Sequence, residues 1–444
     1  MKIILLSGGS GKRLWPLSND SRSKQFLKVL KAPDGKHESM VQRVVRQIHE
    51  NIPDAEIIIA TSANQKDVIT SQLGDQVTVV VEPMRRDTFP AIALSCAYLG
   101  YEKGCDPDEV VAVLPCDQFT ESTYFQVVRQ MGEAARGKQD LTLMGVYPES
   151  PSSNFGYILP ESTDTVPMTV KTFVEKPKED RAREIIEQGG FWNGGVFAFR
   201  LGYVLDKVAQ YISDKDFQKV YDRYEDFPKI SFDYEVVEKA NSIAMLPFKG
   251  LWKDLGSWDA LSGQMDIENN NCILSECTNT YVANELAIPV VCTGTKDIVV
   301  AASLDGILVT APDNAARLKE AVSQLNLRPM YEERRWGEFR VVDSTNDADG
   351  LKSLTKRLTL WAGKNISYQI HHHRSEVWTV VRGKGILILD GEVREITPGQ
   401  TVHIEKGQKH AIKAVTDLEI IEVQIGDLLT EEDIIRFDWP VSNI

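Results

Sequence analysis

Two stretches of the chain concentrate residue types that can do chemistry. Near the start, "LLSGGSGKRLWPLSNDSRSKQFLKVL" runs from an apolar segment through Gly8, Gly9 and Gly11 into Lys12, Arg13 and Lys24. Glycines let backbone N–H groups approach an anion closely, and a helix beginning after them favours negative charge at its N-terminus. The spacing excludes two well-known phosphate loops. A dinucleotide fingerprint needs a third glycine where Leu14 stands, and neither Gly8 nor Gly9 begins a G-x-x-x-x-G-K-[ST] run. What remains is an anion cradle with its own cations, Arg13 beside it and Lys24 further along. The second stretch is "YQIHHHRSEVWTVVRGKG", where His371, His372 and His373 are consecutive. On a strand, His371 and His373 share one face and His372 takes the other. With Glu376 after a short bend and His410 opening a later strand, these side chains can converge inside a small barrel on a divalent transition metal. His403 reads as structural.

Such groups need rigid elements to hold them. From Met1 to about Ala260, short runs rich in Val and Ile ("KIILLS", "EIIIATS", "VTVVVEP", "VVAVLPCD", "LTLMGVYP") alternate with helical candidates ("SMVQRVVRQIHEN", "FPAIALSCAYLGYEKG"). This alternation predicts an α/β domain with a doubly wound sheet, which binds ligands at the C-terminal ends of its strands. The glycine loop falls at such an end, between a strand and an expected helix. From Met265 to Leu327, short strands and one helix, "NAARLKEAVSQLN", predict a small β-rich subdomain; "LNLRPMYEERRWGE" reads as a linker. After Trp336 nearly everything reads as strand, which predicts a small β-barrel or jelly roll. The expected domains are 1–262, 263–330 and 331–444.

Composition narrows the function. At 444 residues the chain is too long for one ordinary core, and 42% hydrophobic with 26% charged residues is the balance of a soluble globular protein. A formal charge of -14 leaves no basic footprint for nucleic acid. Six cysteines without a C-x-x-C pair fit reduced thiols in a cytoplasmic enzyme. No apolar run reaches membrane-spanning length. The opening "KIILL" is stopped by Gly8 and Gly9 too soon for a signal peptide, so it reads as a buried strand.

The stretch "GGSGKRLWPLS…SKQF" resembles the signature of sugar-1-phosphate nucleotidyltransferases, and most closely the mannose-1-phosphate guanylyltransferases; Trp15 and "KQFL" point to the mannose branch. The resemblance continues in order through "EPMRRDTFPAIAL", "LPCDQF", "FGYI", "FVEKP", "WNGGVF", "SFDYEVVEK" and "WKDLGSWDAL". It implies a Rossmann-like nucleotidyltransferase domain in which a hexose-1-phosphate oxygen attacks the α-phosphorus of a nucleoside triphosphate, GTP first among them. The catalytic set it implies is Arg13, Lys24, Asp117, Lys176 and Asp254. Gly8, Gly9, Gly11, Arg13, Glu82 and Arg86 would bind the nucleotide; Gly156, Glu175, Lys176, Asn193 and Asp233 would bind the sugar phosphate. Asp233 reads equally well as a helix cap. Magnesium, which takes hard oxygen ligands, would be held by Asp117, at the end of the strand "VVAVLPC", and Asp254. Ser23, Gln118 and Asp87 depart from the family's usual Pro, His and Asn.

The histidine cluster resembles cupin metal motifs, and residues 331–444 resemble the type II mannose-6-phosphate isomerase domain often fused behind the guanylyltransferase. The implied ligands are His371, His373, Glu376 and His410, with Gln369 as an alternative, for Zn, Mn, Fe, Co or Ni; Arg374 would contact phosphate. Val377 and "RRWG" depart from that domain's pattern, and the tail "FDWPVSNI" lacks its terminal arginine. The expectation is therefore a cytoplasmic guanylyltransferase making GDP-mannose, bifunctional if the cupin also isomerises mannose-6-phosphate, with a homodimer as one open arrangement. The alternatives are another sugar-1-phosphate or nucleotide with a non-catalytic cupin, or a non-catalytic sugar-phosphate sensor.

Overall fold

A computed structural model describes residues 1–8, 11–19, 21–264, 271–312, 314, 318, 320–322, 324–325, 328–346 and 350–439. The chain divides into two compact units: Met1–Leu14 with Ser23–Glu268 and Pro312–Leu318, and Trp15–Arg22 with Asn269–Ala311 and Lys319–Ile444. No helix among the described residues is long and apolar enough to cross a membrane.

The first unit is built on a nine-stranded mixed sheet. Its order is Thr78–Glu82, Glu56–Ser62, Lys2–Ser7, Val110–Pro115, Phe191–Arg200, Leu141–Val146, Ile243–Phe248, Met168–Val174 and Tyr157–Pro160. The first four strands are parallel, as the Val- and Ile-rich runs predict. Successive residues of these strands enter cores on opposite faces. Ile3, Leu5, Ile57 and Ile59 pack on the Met40–Asn51 helix side, and Ile4, Ile58 and Ala60 pack with the Thr88–Ala97 helix. Ser39 caps the former helix, its side chain accepting from the Gln42 N–H in a capping box. Beyond Ala97 the chain makes a π-helical turn over Tyr98–Glu102 rather than continuing the expected α-helix.

Two local features shape the sheet's working end. Gly195, at φ 67°, lies where the register of Phe191–Arg200 shifts between Asn193 and Phe197. Trp192 pairs with Tyr157 on one side and Val146 on the other, so the strand's first half closes a five-strand barrel at that end of the sheet. Secondly, Trp252–Asp254 pairs antiparallel with Gln118–Thr120, and Asp254 stands opposite Gln118. Gln118 locks this ribbon: its Oε1 accepts from Tyr124 O–H and Trp252 Nε1–H, both at 2.9 Å, and its Nε2 donates to the Gly194 carbonyl at 3.0 Å. Gln118 thus braces the ribbon through three hydrogen bonds.

In the second unit, Cys272–Ser275 pairs parallel with Val290–Thr293, and Thr278–Asn284 pairs parallel with Lys296–Ser303. Parallel neighbours joined by short connections, without a crossover helix, form coils of a β-solenoid. Of the expected helix "NAARLKEAVSQLN", residues 318 and 320–322 are helical, and residues 315–317, 319, 323 and 326 lie outside the described residues. The expected linker contains a strand, Tyr331–Arg334, which pairs with Gly337–Asn346 and opens a six-stranded sheet. Alternating partners decide this: Arg340 lies over the Tyr331 ring, which its polar sequence conceals. A second sheet of five strands completes a cupin-type barrel around a core that includes Leu358, Trp378, Leu387, Ile412 and Ile420.

Gln118→Leu should leave the buried Tyr124 hydroxyl and the Trp252 indole unpaired and cost about 2–4 kcal/mol. A fall in the urea midpoint followed by tryptophan fluorescence checks this, and an unchanged midpoint refutes the brace.

Candidate functional site

The strand Lys2–Ser7 delivers the glycine loop, and the adjacent parallel strand Val110–Pro115 delivers Asp117 at the same end of the sheet. Gly9 lies outside the described residues. The expected helix after the loop is instead a single 3-10 turn, Gly11–Leu14, and the next α-helix starts at Met40. Pro16 accounts for this, because proline lacks an N–H and disfavours helical backbone in the residue before it. Arg13 is on that turn and exposed to solvent. The anion cradle therefore rests on loop amides and cations, without a helix dipole.

Lys24 occupies the centre of the acidic pair. Its Nζ is 2.8 Å from Asp117 Oδ2 and 2.7 Å from Asp254 Oδ1. Burial works against its charge, but the two carboxylates outweigh that and hold its pKa above the ordinary lysine value. Gly256 leaves room beside them. A Cβ there would lie 2.9 Å from both Asp254 Oδ1 and Lys24 Nζ. Two facing carboxylates in a space kept open by a glycine fit a hard cation such as magnesium.

Asp117 and Asp254 also line a cavity of about 250 Å³ with Gly156, Glu175, Lys176, Asn193 and Asp233. Asn193, presented beside the strand's bulge, donates to Asp233 Oδ1 at 2.8 Å. Asp233 makes no helix cap; burial and the neighbouring Glu175 charge push its pKa up to about 6. Lys176 sits 3.0 Å from Glu175 Oε1. Glu175 Oε2 is buried without a hydrogen-bond partner, and a Cβ at Gly156 would lie 2.4 Å from it. That orphaned acceptor, facing space that only glycine leaves free, is suited to a ligand hydroxyl.

Of the remaining expected residues, Glu82 is buried and accepts from Tyr224 O–H at 2.7 Å. Burial raises its pKa to about 7 against that bond. Its Oε1 lies 3.8 Å from where a Cβ on Gly8 would be, so it borders the glycine loop. Arg86 commits its Nε–H to the Phe227 carbonyl at 3.0 Å. Neither Arg13 nor Arg86 lines the cavity.

The second cluster lies inside the cupin barrel. His371, Glu376 and His410 are buried and present ligand atoms within 4.8 Å of one another. His371 Nε2 is 3.2 Å from Glu376 Oε1, and Gln369 Nε2 is 3.3 Å from His371 Nε2. Burial depresses both histidines, His371 to about 4, so the imidazoles are neutral at pH 7, with His371 Nε2 3.3 Å from both Gln369 Nε2 and Arg374 Nη2. Burial alone would raise Glu376, but His371, His410 and Arg374 outweigh it and its carboxyl stays ionised. His410 Nε2 is buried with no hydrogen-bond partner. An orphaned imidazole nitrogen beside a second imidazole and a carboxylate fits a divalent transition metal.

Two expected residues of this cluster stand differently from the rest. His373 is not among the converging groups. The strand ends at His371, so alternation stops there, and the His373 side chain is half exposed, 3.2 Å from Asp427. The expected alternative, Gln369, has the inward position instead, two residues before His371 on the same strand face. Arg374, expected to contact phosphate, is already engaged within the protein. It is buried, with Nε 2.9 Å from Glu376 Oε1 and Nη1 donating to the Thr430 carbonyl at 2.9 Å. Sequence reasoning missed Asp433, whose carboxylate accepts from the backbone N–H of both His372 and His373 and pins the bend. Its segment was matched as a block, and nothing in it marked one acid above its neighbours.

Two measurements test these assignments. His373→Ala should keep the metal content of the purified protein and His410→Ala should lose it; loss in the former restores His373 as a ligand. Glu82, raised when folded, contributes stability fully present below its unfolded pKa and lost as pH rises through about 7. Glu82→Gln should therefore gain about 2–3 kcal/mol on wild type between pH 4.5 and pH 8, read from urea midpoints.

Comparison with known proteins follows the same division. The Nucleotidyl transferase family matches residues 2–270, and the Mannose-6-phosphate isomerase C-terminal family matches residues 326–439. The xanthan biosynthesis protein XanB of Xanthomonas campestris pv. campestris is 33% identical, covering 98% of this chain and 97% of its own. The mannose-1-phosphate guanylyltransferase ManC of Salmonella typhimurium is 29% identical, covering 98% and 97%. The crystal structure of a mannose-1-phosphate geranyltransferase from Thermus thermophilus superposes with a TM-score of 0.62 at 27% identity, covering 73% of this chain and 99% of that one. Matched from end to end by such relatives, the chain belongs to the mannose-1-phosphate guanylyltransferase family, with a nucleotidyl transferase domain followed by a mannose-6-phosphate isomerase C-terminal domain.

Proposed function

We propose that the first unit transfers a guanylyl group from GTP to mannose-1-phosphate, giving GDP-mannose and pyrophosphate. The observation that carries this reading is Lys24 between Asp117 and Asp254, both of which line the cavity of Glu175, Lys176, Asn193 and Asp233. Both reactants are polyanions, so the barrier is mostly charge repulsion and misalignment. A phosphate oxygen of the sugar attacks the α-phosphorus as the bond to the bridging oxygen of the β-phosphate breaks, and pyrophosphate leaves with that electron pair. Arg13 and the loop amides hold the triphosphate, Lys24 neutralises the reacting phosphates, and Lys176 holds the sugar phosphate. Glu175 Oε2 accepts from a sugar hydroxyl, the role its unpaired state favours. Glu82, which borders the glycine loop, contacts the nucleotide in this reading. Magnesium held by Asp117 and Asp254 would add positive charge to the triphosphate.

A second activity is supported by the intact inward set Gln369, His371, Glu376 and His410. We infer interconversion of mannose-6-phosphate and fructose-6-phosphate, with a transition metal polarising the sugar's carbonyl and hydroxyl. The chain's own residues keep that site dry and its imidazoles neutral. The departures at Val377 and in "RRWG" leave these four side chains in place.

Pyrophosphate release across a panel of nucleoside triphosphates and hexose-1-phosphates should be greatest for GTP with mannose-1-phosphate. No release with any pair would favour the sensor reading instead. Lys24→Ala should lower kcat by at least about 100-fold while the protein still folds, as its circular dichroism spectrum would show. Near-normal turnover in that variant removes Lys24 from the chemistry.

A further inference from the structure

The stretch between the two cations assigned to the triphosphate is held by a different unit from the one that carries them. Leu14 and Ser23 belong to the first unit, and Trp15–Arg22 between them belongs to the second. Trp15, singled out in the sequence but unused by the chemistry above, lies against the backbone of Gly306, where a Cβ would be 2.6 Å from its indole. Ser303 donates its hydroxyl to the Pro16 carbonyl at 2.8 Å. Asn19 folds the segment on itself, its Oδ1 accepting from Ser21 and Arg22 N–H at 3.0 and 2.8 Å. Its Nδ2 donates to Asp305 Oδ2 at 2.8 Å, while Asp305 Oδ1 accepts from the Met330 N–H at 2.7 Å. Arg22 makes a two-pronged pair with Glu285, both contacts 2.9 Å, with its guanidinium 4.9 Å from the centre of the Tyr331 ring.

We propose that Asp305 and Glu285 are positioning residues for nucleotidyl transfer, acting through residues 15–22 on Arg13 and Lys24. The inference rests on the transfer activity proposed above. Arg13 is two residues before Trp15, and Lys24 two after Arg22. With the intervening segment fastened, both cations lose conformational freedom before substrate arrives, so less ordering remains for the reaction itself. The two acids suit this role because every carboxylate oxygen in question accepts. An amide at Asp305 must turn an N–H toward Asn19 Nδ2 or the Met330 N–H, donor against donor. An amide at Glu285 likewise opposes one guanidinium N–H.

Asp305→Asn and Glu285→Gln keep size and shape and so test the acceptors alone, in the full chain. The expected result is a 10- to 100-fold fall in kcat/KM, with cupin metal content at the wild-type level. Backbone hydrogen exchange should accelerate in residues 11–27 and stay unchanged in residues 110–115. Arg22→Glu with Glu285→Arg should recover activity relative to Glu285→Arg alone. Wild-type kinetics in both amide variants, or unchanged exchange in residues 11–27, overturns the proposal. If the wild-type protein transfers with no substrate pair, the functional reading fails by itself, and the exchange measurement still decides whether Asp305 and Glu285 hold the loop.

Discussion

Two carboxylates facing each other across a few ångströms repel, and the working end of the first unit is organised around the one ammonium that resolves this. Lys24 reaches Asp117 and Asp254 at hydrogen-bond distance from opposite ends of the domain's sequence. Asp117 is fixed by the end of a central parallel strand, and Asp254 by a short ribbon paired to the residues just after Asp117. Gln118 bonds the ribbon that carries Asp254, and Gly256 leaves room beside the pair. Lys24 has one ammonium and two prospective sets of partners, the carboxylates and, in the proposed reaction, the phosphates. When Lys24 turns to the phosphates, the carboxylates need another positive partner, and as hard oxygen donors they suit magnesium.

Much of this was legible in the sequence. The five strands "KIILLS" to "LTLMGVYP" and the helix capped by Ser39 form where apolar runs and periodicity place them. Most of these strands are buried on both faces and the helix on one, so their patterns are strong. The grouping of Glu175, Lys176, Asn193 and Asp233 followed from matched motifs far apart in the chain, and the structure does bring them to one cavity. The turn after the glycine loop was not legible from the glycines, because Pro16 further on decides that no helix can start there. The strand Tyr331–Arg334 was hidden too. Its residues are polar and read as a connection until Arg340 and Gly337–Asn346 are seen beside it.

The cupin shows the same limit at single-residue scale. Strand alternation is a reliable guide only while the strand lasts, and three consecutive histidines conceal where it stops. Asp433, sixty residues away in sequence, accepts from two of their backbone N–H groups and turns the chain after His371. The inward pair is therefore Gln369 with His371, and His373 is left at the surface with Asp427. No local pattern could distinguish these registers, because each places a polar residue two positions from His371.

The two sites handle buried charge in opposite ways, and this separates their chemistry. The first keeps Lys24 charged between two carboxylates, a polar arrangement that a polyanionic substrate can enter and rearrange. The second holds two neutral imidazoles and one ionised carboxylate away from water, with Arg374 bonded to that carboxylate and a chain carbonyl. Such a set is already arranged for a cation, since neutral imidazoles need not lose a proton to bind one. A cation shared with a nucleotide suits the open, exchangeable pair, whereas one retained between turnovers suits the dry barrel. Residues 15–22 are grouped with the second unit, while Arg13 and Lys24, two positions outside them in sequence, belong to the first.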